Sequence, residues 1–404
     1  MTGKLSALEM RNFKCFRRQP LEFGNLTILT GLNGMGKSSV IQALLLLRQS
    51  LDGSRARRLK LSGDLVDLGT GSDVFFDLAD EDVITFALEV DNKYRFEFQF
   101  EYDRRSSALQ RVKAEGSENQ PYRDVGPTRQ YINDGSGVWR QLPIKEISFD
   151  SSPFRSALFS KMRLQYLAAE RLGPRKMLPW ADEQAARRSI GVQGEYVLAF
   201  LARYGAEILP EFDPRLRKTD AKTTVEGQVT AWLQEASPGS ILKIDELRTV
   251  DALAARYAYE RKGDVASPSF RATNVGFGLS YILPVLTALI AARPGDIVIV
   301  ENPEAHLHPR GQTKIGELAC HAASAGVQVI IETHSDHFLD GVRLAARSGC
   351  IDHKTVRIHY FTRHGPEAAV ISPSLQSDGR LSEWPKGFFD ERDENLVRLL
   401  KPVA

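Results

Sequence analysis

The chain has 404 residues, 42% of them hydrophobic, which suits a folded protein of two or three domains or one elaborated core. Its 53 basic and 51 acidic residues leave a formal charge of +2, so composition alone does not mark it for nucleic acid, and any such contact has to come from a local patch. Three scattered cysteines, Cys15, Cys320 and Cys350, lack metal-ligand spacing, and no apolar run of about 18 residues could span a bilayer, so a reducing cytoplasm and no membrane are expected.

Leu5 to Phe16 and Leu21 to Thr30 read as two strands. They lead into Gly31-Leu-Asn33-Gly34-Met-Gly36-Lys37-Ser38-Ser39, after which the apolar stretch Val40 to Leu47 reads as a helix ending near Leu51. A Gly-rich loop between a strand and a helix is the phosphate-binding pattern. Its glycines let backbone N–H groups close around a β-phosphate, Lys37 supplies a point charge toward the β- and γ-phosphates, and Ser38 can hold Mg²⁺. Asn33, Gly34, Gly36, Lys37, Ser38 and Ser39 are therefore the expected nucleotide contacts, with ATP and Mg²⁺ as cofactors.

A basic run, Arg55, Arg57, Arg58 and Lys60, follows and reads as a solvated face. Val83 to Val90, a turn at Asp91-Asn92-Lys93, and Tyr94, Phe96, Phe98, Phe100 and Tyr102 alternating with polar residues predict a hairpin with one buried face. The aromatic stripe is read as core packing rather than a base-stacking platform, since period-two alternation explains it in full. Short strands are expected to continue through Trp139 and Ile147, between polar loops at Gly116 to Asn119 and Asp134 to Gly137. Gly194 to Tyr204 and Val225 to Glu235 read as helices, Ile241 to Arg261 as two strands, and Leu279 to Ala292 as a long apolar helix.

Two buried strands then end in polar residues. Ile297 to Val300 runs into Glu301-Asn302-Pro303-Glu304, and Val327 to Ile331 runs into Glu332-Thr333-His334-Ser335. Continuous β-branched runs suit a parallel sheet, whose ligands gather at the carboxyl ends of the strands. Glu301 is thus placed where an ATPase keeps its Mg²⁺ carboxylate, with His334 brought to the same crevice.

Leu8-Glu-Met-Arg-Asn12-Phe13-Lys14, the loop Gly31 to Ser39, Glu301-Asn-Pro-Glu-Ala-His-Leu-His-Pro309 and Glu332-Thr-His-Ser335 together resemble the ABC-type ATPases of recombination, chromosome maintenance and prokaryotic defence. They are most similar in character to the overcoming-lysogenisation-defect type and its phage-defence relatives, and Trp384 to Phe389 is similar to the C-terminal tail of a subset of these. The resemblance implies an α/β fold, a P-loop NTPase of ABC ATPase type with a mixed central sheet, an antiparallel β subdomain and a helical insertion. It divides the chain into an N-terminal lobe (1–190), a helical insertion with connecting strands (191–270) and a C-terminal lobe (271–404). It makes Glu301 the acidic strand-end residue and His334 the switch histidine sensing the γ-phosphate, and it adds Asn12 and Lys14 as nucleotide contacts. Asn274-Val-Gly276-Phe-Gly278-Leu-Ser280 is similar to the family's signature loop, whose glycines would approach the nucleotide of a partner subunit. A homodimer or higher homo-oligomer is implied, with an effector such as a nuclease as a further partner and DNA as a candidate ligand.

The sequence departs from the family pattern where the general base is usually found. Asn302, an amide, stands there, leaving Glu304 to orient the attacking water. The signature serine is replaced by Gly276, and the glutamine that couples nucleotide to the lid has no clear counterpart, Gln42 and Gln49 lying in the first helix. A nucleotide-gated scaffold that does not hydrolyse ATP, and a DNA-clamp ATPase without long coiled-coil heptads, stand as alternatives to an ATPase that drives an effector in defence or DNA repair. A divalent-metal nuclease centre built from Glu304, His306, His308, His334 and Asp336 is the weaker reading, lacking a supporting Cys or Asp pair. Arg171, in Glu170-Arg171-Leu-Gly173-Pro174-Arg175, is either part of a surface turn or a phosphate or partner contact.

Overall fold

The structure, a computed structural model, describes residues 3–51, 58–118, 131–133, 139–141, 163–217, 221–261, 265–364 and 367–400. Arg55, Arg57, Asp134 to Gly137 and Ile147 lie outside them. The chain forms two compact units that interleave in sequence: Met1–Glu22 with Gln42–Met162, and Phe23–Ile41 with Arg163–Ala404.

The chain opens with three strands rather than two: β1 (Leu5–Phe13), β2 (Phe16–Glu22) and β3 (Leu26–Gly31). The expected strand from Leu5 to Phe16 breaks because Asn12 and Lys14 take left-handed φ values of 53° and 52°, turning β1 back antiparallel onto β2. In the first unit β1 and β2 join β4 (Val83–Val90), β5 (Tyr94–Asp103) and β6 (Ala108–Glu118) in an antiparallel sheet of order β2-β1-β4-β5-β6. The predicted hairpin is present. Asp91 and Asn92 have φ of 56° and 52°, the left-handed pair that a tight hairpin turn requires. Phe96, Phe98 and Phe100 are buried, and Phe86 meets Phe13 edge-on with ring centroids 5.1 Å apart, so the aromatic stripe is core. Strand β6 runs through Gly116 to Glu118, where a polar loop was expected; pairing with β5 from Tyr94 to Asp103 overrides the local turn composition. A short hairpin, β7 (Tyr131–Asn133) with β8 (Trp139–Gln141), follows.

The second unit is built on a mixed sheet. Around β3 it gathers β9 (Leu164–Leu167), β15 (Ile297–Glu301), β16 (Gln328–Glu332), β17 (Val356–His364) and β18 (Glu367–Ile371) in the order β18-β17-β3-β16-β15-β9. All neighbours are parallel except β17 with β18. A second sheet is formed by β10 (Leu178–Pro179), β11 (Ser240–Leu247) and β12 (Ala252–Arg261), with β13 (Val265–Ala266) and β14 (Phe270–Arg271) added on β12. Between β9 and β11 lie the helices Val197–Tyr204 and Val225–Ala236, close to their predicted bounds. The apolar helix Phe277–Ala291 is buried along most of its length, as its near-continuous hydrophobicity requires. The helices Pro309–Ser324 and Asp336–Arg347 follow β15 and β16. The C-terminal aromatic motif is anchored: Phe388 is fully buried, with edge-on ring contacts to Tyr360 at 5.2 Å and Trp384 at 5.1 Å. Among the described residues no helix is long and apolar enough to cross a membrane, and Cys15, Cys320 and Cys350 are free thiols.

Candidate nucleotide site

The site lies at the carboxyl ends of β3, β16 and β15. Strand β3 ends at Gly31, whose φ of 134° and close approach to the Phe361 carbonyl, 2.2 Å from where a Cβ would stand, admit only glycine. The chain then turns through Gly34 and Gly36, with φ of 74° and 95°, into the helix Lys37–Leu51. Asn33 is exposed on this loop and Ser39 is buried beneath it. Lys37 is only 3% exposed, and its Nζ donates to the carbonyls of Gly31 at 2.9 Å and Leu32 at 2.8 Å. Burial pulls its titration down, opposed by the Glu332 charge. An ammonium held inside a loop of left-handed glycines at a helix N-terminus fits a phosphate chain.

Parallel register places the acids. Glu332 pairs with Leu29 of β3 on one side and with Glu301 of β15 on the other, so the two carboxylates end adjacent strands beside the phosphate loop. Ser38 Oγ donates to Glu332 Oε1 at 3.0 Å. Glu332 is 6% exposed and its Oε2 has no hydrogen-bond partner in the protein. Burial, reinforced by Glu301, raises its titration to about 7. Glu301 accepts from Tyr166 Oη at 2.9 Å through Oε1 and from the Ala169 N–H at 3.2 Å through Oε2. Its titration is also raised by burial. A serine hydroxyl beside a buried carboxylate with an unanswered oxygen is a donor set that fits Mg²⁺, which takes only one or two protein oxygens when phosphates and waters supply the rest.

Glu304 sits in the same crevice. Its Oε1 accepts from the His334 N–H at 2.9 Å, while its Oε2 is buried without a partner, and burial raises its titration. Asn302 has a left-handed φ of 44°, gives its N–H to the Glu332 carbonyl at 2.8 Å, and keeps its side-chain Oδ1 buried and unpartnered. His334 is exposed as a residue, while partial burial of its ring, and then Lys37, lower its basicity. Ser335 caps the helix Asp336–Arg347 and donates to Gln312 Oε1 at 2.6 Å. The structure thus gathers Lys37, Ser38, Glu301, Asn302, Glu304 and His334 around one loop.

Arg171 is no surface-turn residue. It is 3% exposed and donates to the carbonyls of Ala168 at 3.0 Å, Glu301 at 2.7 Å and Asn302 at 2.6 Å. Its guanidinium also lies over the Tyr281 ring, 5.3 Å from the centroid. It therefore fixes the backbone of the acidic strand end. Tyr166 and Glu332 have no site role in the sequence reading, and Arg171 is left there between surface turn and ligand contact; the signals in the sequence are the buried run Val327 to Ile331 before Glu332 and the short apolar stretch Leu164–Leu167 before Arg171.

The signature-like segment caps the helix Phe277–Ala291. A Cβ on Gly278 would stand 2.6 Å from the His306 carbonyl, so this glycine serves a contact inside the unit, whereas one on Gly276 would meet nothing within 4 Å. Phe277 and Tyr281 pack on His306 with ring centroids 5.0 and 4.5 Å away, and His308 Nδ1 accepts the Arg310 N–H at 3.3 Å as the cap of the next helix. Both histidines are thereby accounted for in packing and capping. Among the described residues no group of three or more His, Cys, Asp or Glu is arranged to hold a metal on its own. Asn12 and Lys14 belong to the first unit, where the Asn12 amide donates to the Val83 carbonyl at 2.9 Å and Lys14 Nζ to Gln42 Oε1 at 2.6 Å. Gln49 donates to the carbonyls of Lys60 and Val66, which leaves it a structural role.

An OLD nuclease of Thermus scotoductus is 24% identical over 355 residues, 85% of this chain and 61% of that protein, so the chain spans less than two thirds of that relative's length. The Smc head bound to the C-winged helix domain of ScpA superposes with a TM-score of 0.49 at 14% identity, covering 92% of this chain and 98% of that one. The SMC head domain from Thermotoga maritima does so with a TM-score of 0.43 at 13% identity, covering 92% and 99%. Residues 351–399 match a family of proteins of unknown function, DUF3696. Residues 26–340, which include the phosphate loop and both acidic strand ends, match the AAA domain family of the AbiEii toxin, type IV TA system kind, and the chain belongs to that family.

Proposed function

We propose that the protein is an ABC-type ATPase that binds ATP with Mg²⁺, dimerises on nucleotide and controls an effector such as a nuclease, in prokaryotic anti-phage defence or DNA repair. The observation that carries this reading is the buried Lys37 ammonium turned into its own glycine loop, with Ser38 on the carboxylate of Glu332. Lys37 would exchange the carbonyls of Gly31 and Leu32 for phosphate oxygens, and the N–H groups of Asn33 to Ser39 would line the phosphates. Mg²⁺, when bound, would neutralise phosphate charge; Ser38 with a strand-end carboxylate, Glu301 or Glu332, would hold it. Glu304, its free oxygen buried and its titration raised, would accept a hydrogen bond from the attacking water, and His334 would face the γ-phosphate. The open surface at Gly276 suits the approach of a second subunit's nucleotide. The functional division at residues 190 and 270, and the roles of Asn12 and Lys14, rest on family resemblance alone.

A second reading has one observation in its favour. Asn302 occupies the usual general-base position and cannot take a proton at neutral pH, which suits a scaffold that binds ATP without turning it over. Steady-state turnover by wild type, Lys37→Ala and Glu304→Gln, with and without duplex and single-stranded DNA, tests both. The ATPase reading expects turnover that Lys37→Ala abolishes and Glu304→Gln reduces about 100-fold. Tight binding with no turnover by wild type would establish the scaffold instead, and unchanged ATP affinity in Lys37→Ala would overturn the site assignment.

A further inference from the structure

We infer that Glu332, rather than Glu301, is the protein carboxylate that joins Ser38 on the Mg²⁺ side of the nucleotide, and that Glu301 is a positioning residue. The inference rests on the ATP-binding reading above.

Three observations carry it. Strand β16 lies directly beside β3, with Glu332 in register with Leu29, whereas β15 and its Glu301 lie one strand further out. The Ser38 hydroxyl, the loop's own candidate Mg²⁺ ligand, already points at Glu332 Oε1 from 3.0 Å. The two carboxylates are also engaged differently. Glu301 has one oxygen on Tyr166 Oη and the other on the Ala169 N–H, both from β9 and its exit, which hold it toward the far side of β15. Glu332 has one oxygen on Ser38 and the other buried without any partner, at a residue only 6% exposed. A buried carboxyl oxygen left unpaired is costly, and a cation beside it removes that cost. Mg²⁺ is a hard cation that selects oxygen and commonly takes one carboxylate and a phosphate-loop hydroxyl together. The bland alternative is that Glu332 merely latches Ser38 and braces the loop.

Charge and hydrogen bond can be separated by substitution. Glu332→Gln keeps an acceptor for the Ser38 hydroxyl but removes the charge, and Glu301→Gln does the same on the neighbouring strand. A fluorescent ATP analogue titrated in EDTA and at graded Mg²⁺ gives the Mg²⁺ concentration for half-maximal gain in affinity. Mn²⁺ binding in the presence of a non-hydrolysable ATP analogue, read by electron paramagnetic resonance, reports the ion without turnover. Glu332→Gln is expected to raise the half-maximal Mg²⁺ concentration at least tenfold and to weaken Mn²⁺ equally, with affinity in EDTA unchanged or improved; Glu301→Gln should move either value less than threefold. Glu332→Asp, which keeps the charge but shortens its reach, should fall between. A wild-type Mg²⁺ dependence in Glu332→Gln, or a larger shift in Glu301→Gln, would overturn the assignment. Failure of the wild-type protein to bind the analogue at all would instead remove the ATP reading on which it rests.

Discussion

Replacing Arg171 with alanine tests the claim that a buried guanidinium organises the acidic strand end. Its two terminal nitrogens serve three carbonyls, at 3.0, 2.7 and 2.6 Å, in a place 3% exposed. Hydrogen bonds to a charged group contribute about 1.5–3 kcal/mol each, so three give roughly 4–9 kcal/mol. Against this stands the cost of burial, which pulls the Arg171 titration down to about 10 from 12.5. Each pH unit is worth about 1.4 kcal/mol, so roughly 3 kcal/mol is returned when the charge is removed, and the net loss in Arg171→Ala is about 1–6 kcal/mol. Arg171→Lys, which cannot fork, should recover less than half of it. Hydrogen exchange over peptides spanning Ile297 to Glu304 is the suitable assay, because the chain has two compact units and a single melting curve need not report the one in question. Exchange in that stretch should accelerate by about fivefold or more in Arg171→Ala, and turnover should fall more than nucleotide affinity, since Lys37 is untouched. Exchange within about twofold of wild type, less than 0.5 kcal/mol, would refute the reasoning.

Two further expectations separate packing from function. Gly278→Ala drives a Cβ to 2.6 Å from the His306 carbonyl and should destabilise the second unit by about 1–3 kcal/mol. Gly276→Ser, at a φ of −56° in open space, should leave thermal stability within about 0.5 kcal/mol of wild type, so that any effect on ATP-dependent dimerisation, read by light scattering, belongs to the partner contact. His321 supplies a pH test. Burial holds its titration below the ordinary 6.5, with Arg217 lowering it further and Glu317 and Asp213 opposing, and Cys350 Sγ lies 3.2 Å from its Nδ1. A depressed histidine contributes stability in full above pH 6.5 that is lost as pH falls from there toward its lower folded value. Melting temperature between pH 7.5 and 5 should therefore fall less steeply in His321→Gln than in wild type, and equal slopes would show that His321 titrates alike in the folded and unfolded states.

Much of the site was legible because it is locally encoded. The glycines of Gly31 to Gly36, the β-branched runs before Glu301 and Glu332, and the period-two aromatics of β5 each follow from backbone sterics or side-chain alternation within a few residues. The break of β1 at Asn12 and Lys14 was not legible, since neither residue demands a left-handed φ, and the extension of β6 through Gly116 was decided by its pairing with β5. Arg171 could be read as surface turn or ligand contact from its neighbours, and only the approach of β15 to β9 showed that its partners are backbone carbonyls 130 and 131 residues away. The choice between two strand-end glutamates is of the same kind. Sequence placed both at the ends of buried strands, but strand order and parallel register determined that Glu332, 294 residues along the chain from Ser38, is the one that meets its hydroxyl. Local composition sets dihedral preference and burial period; which charge faces which loop depends on strand pairing between distant segments, and that is settled only when the sheet forms.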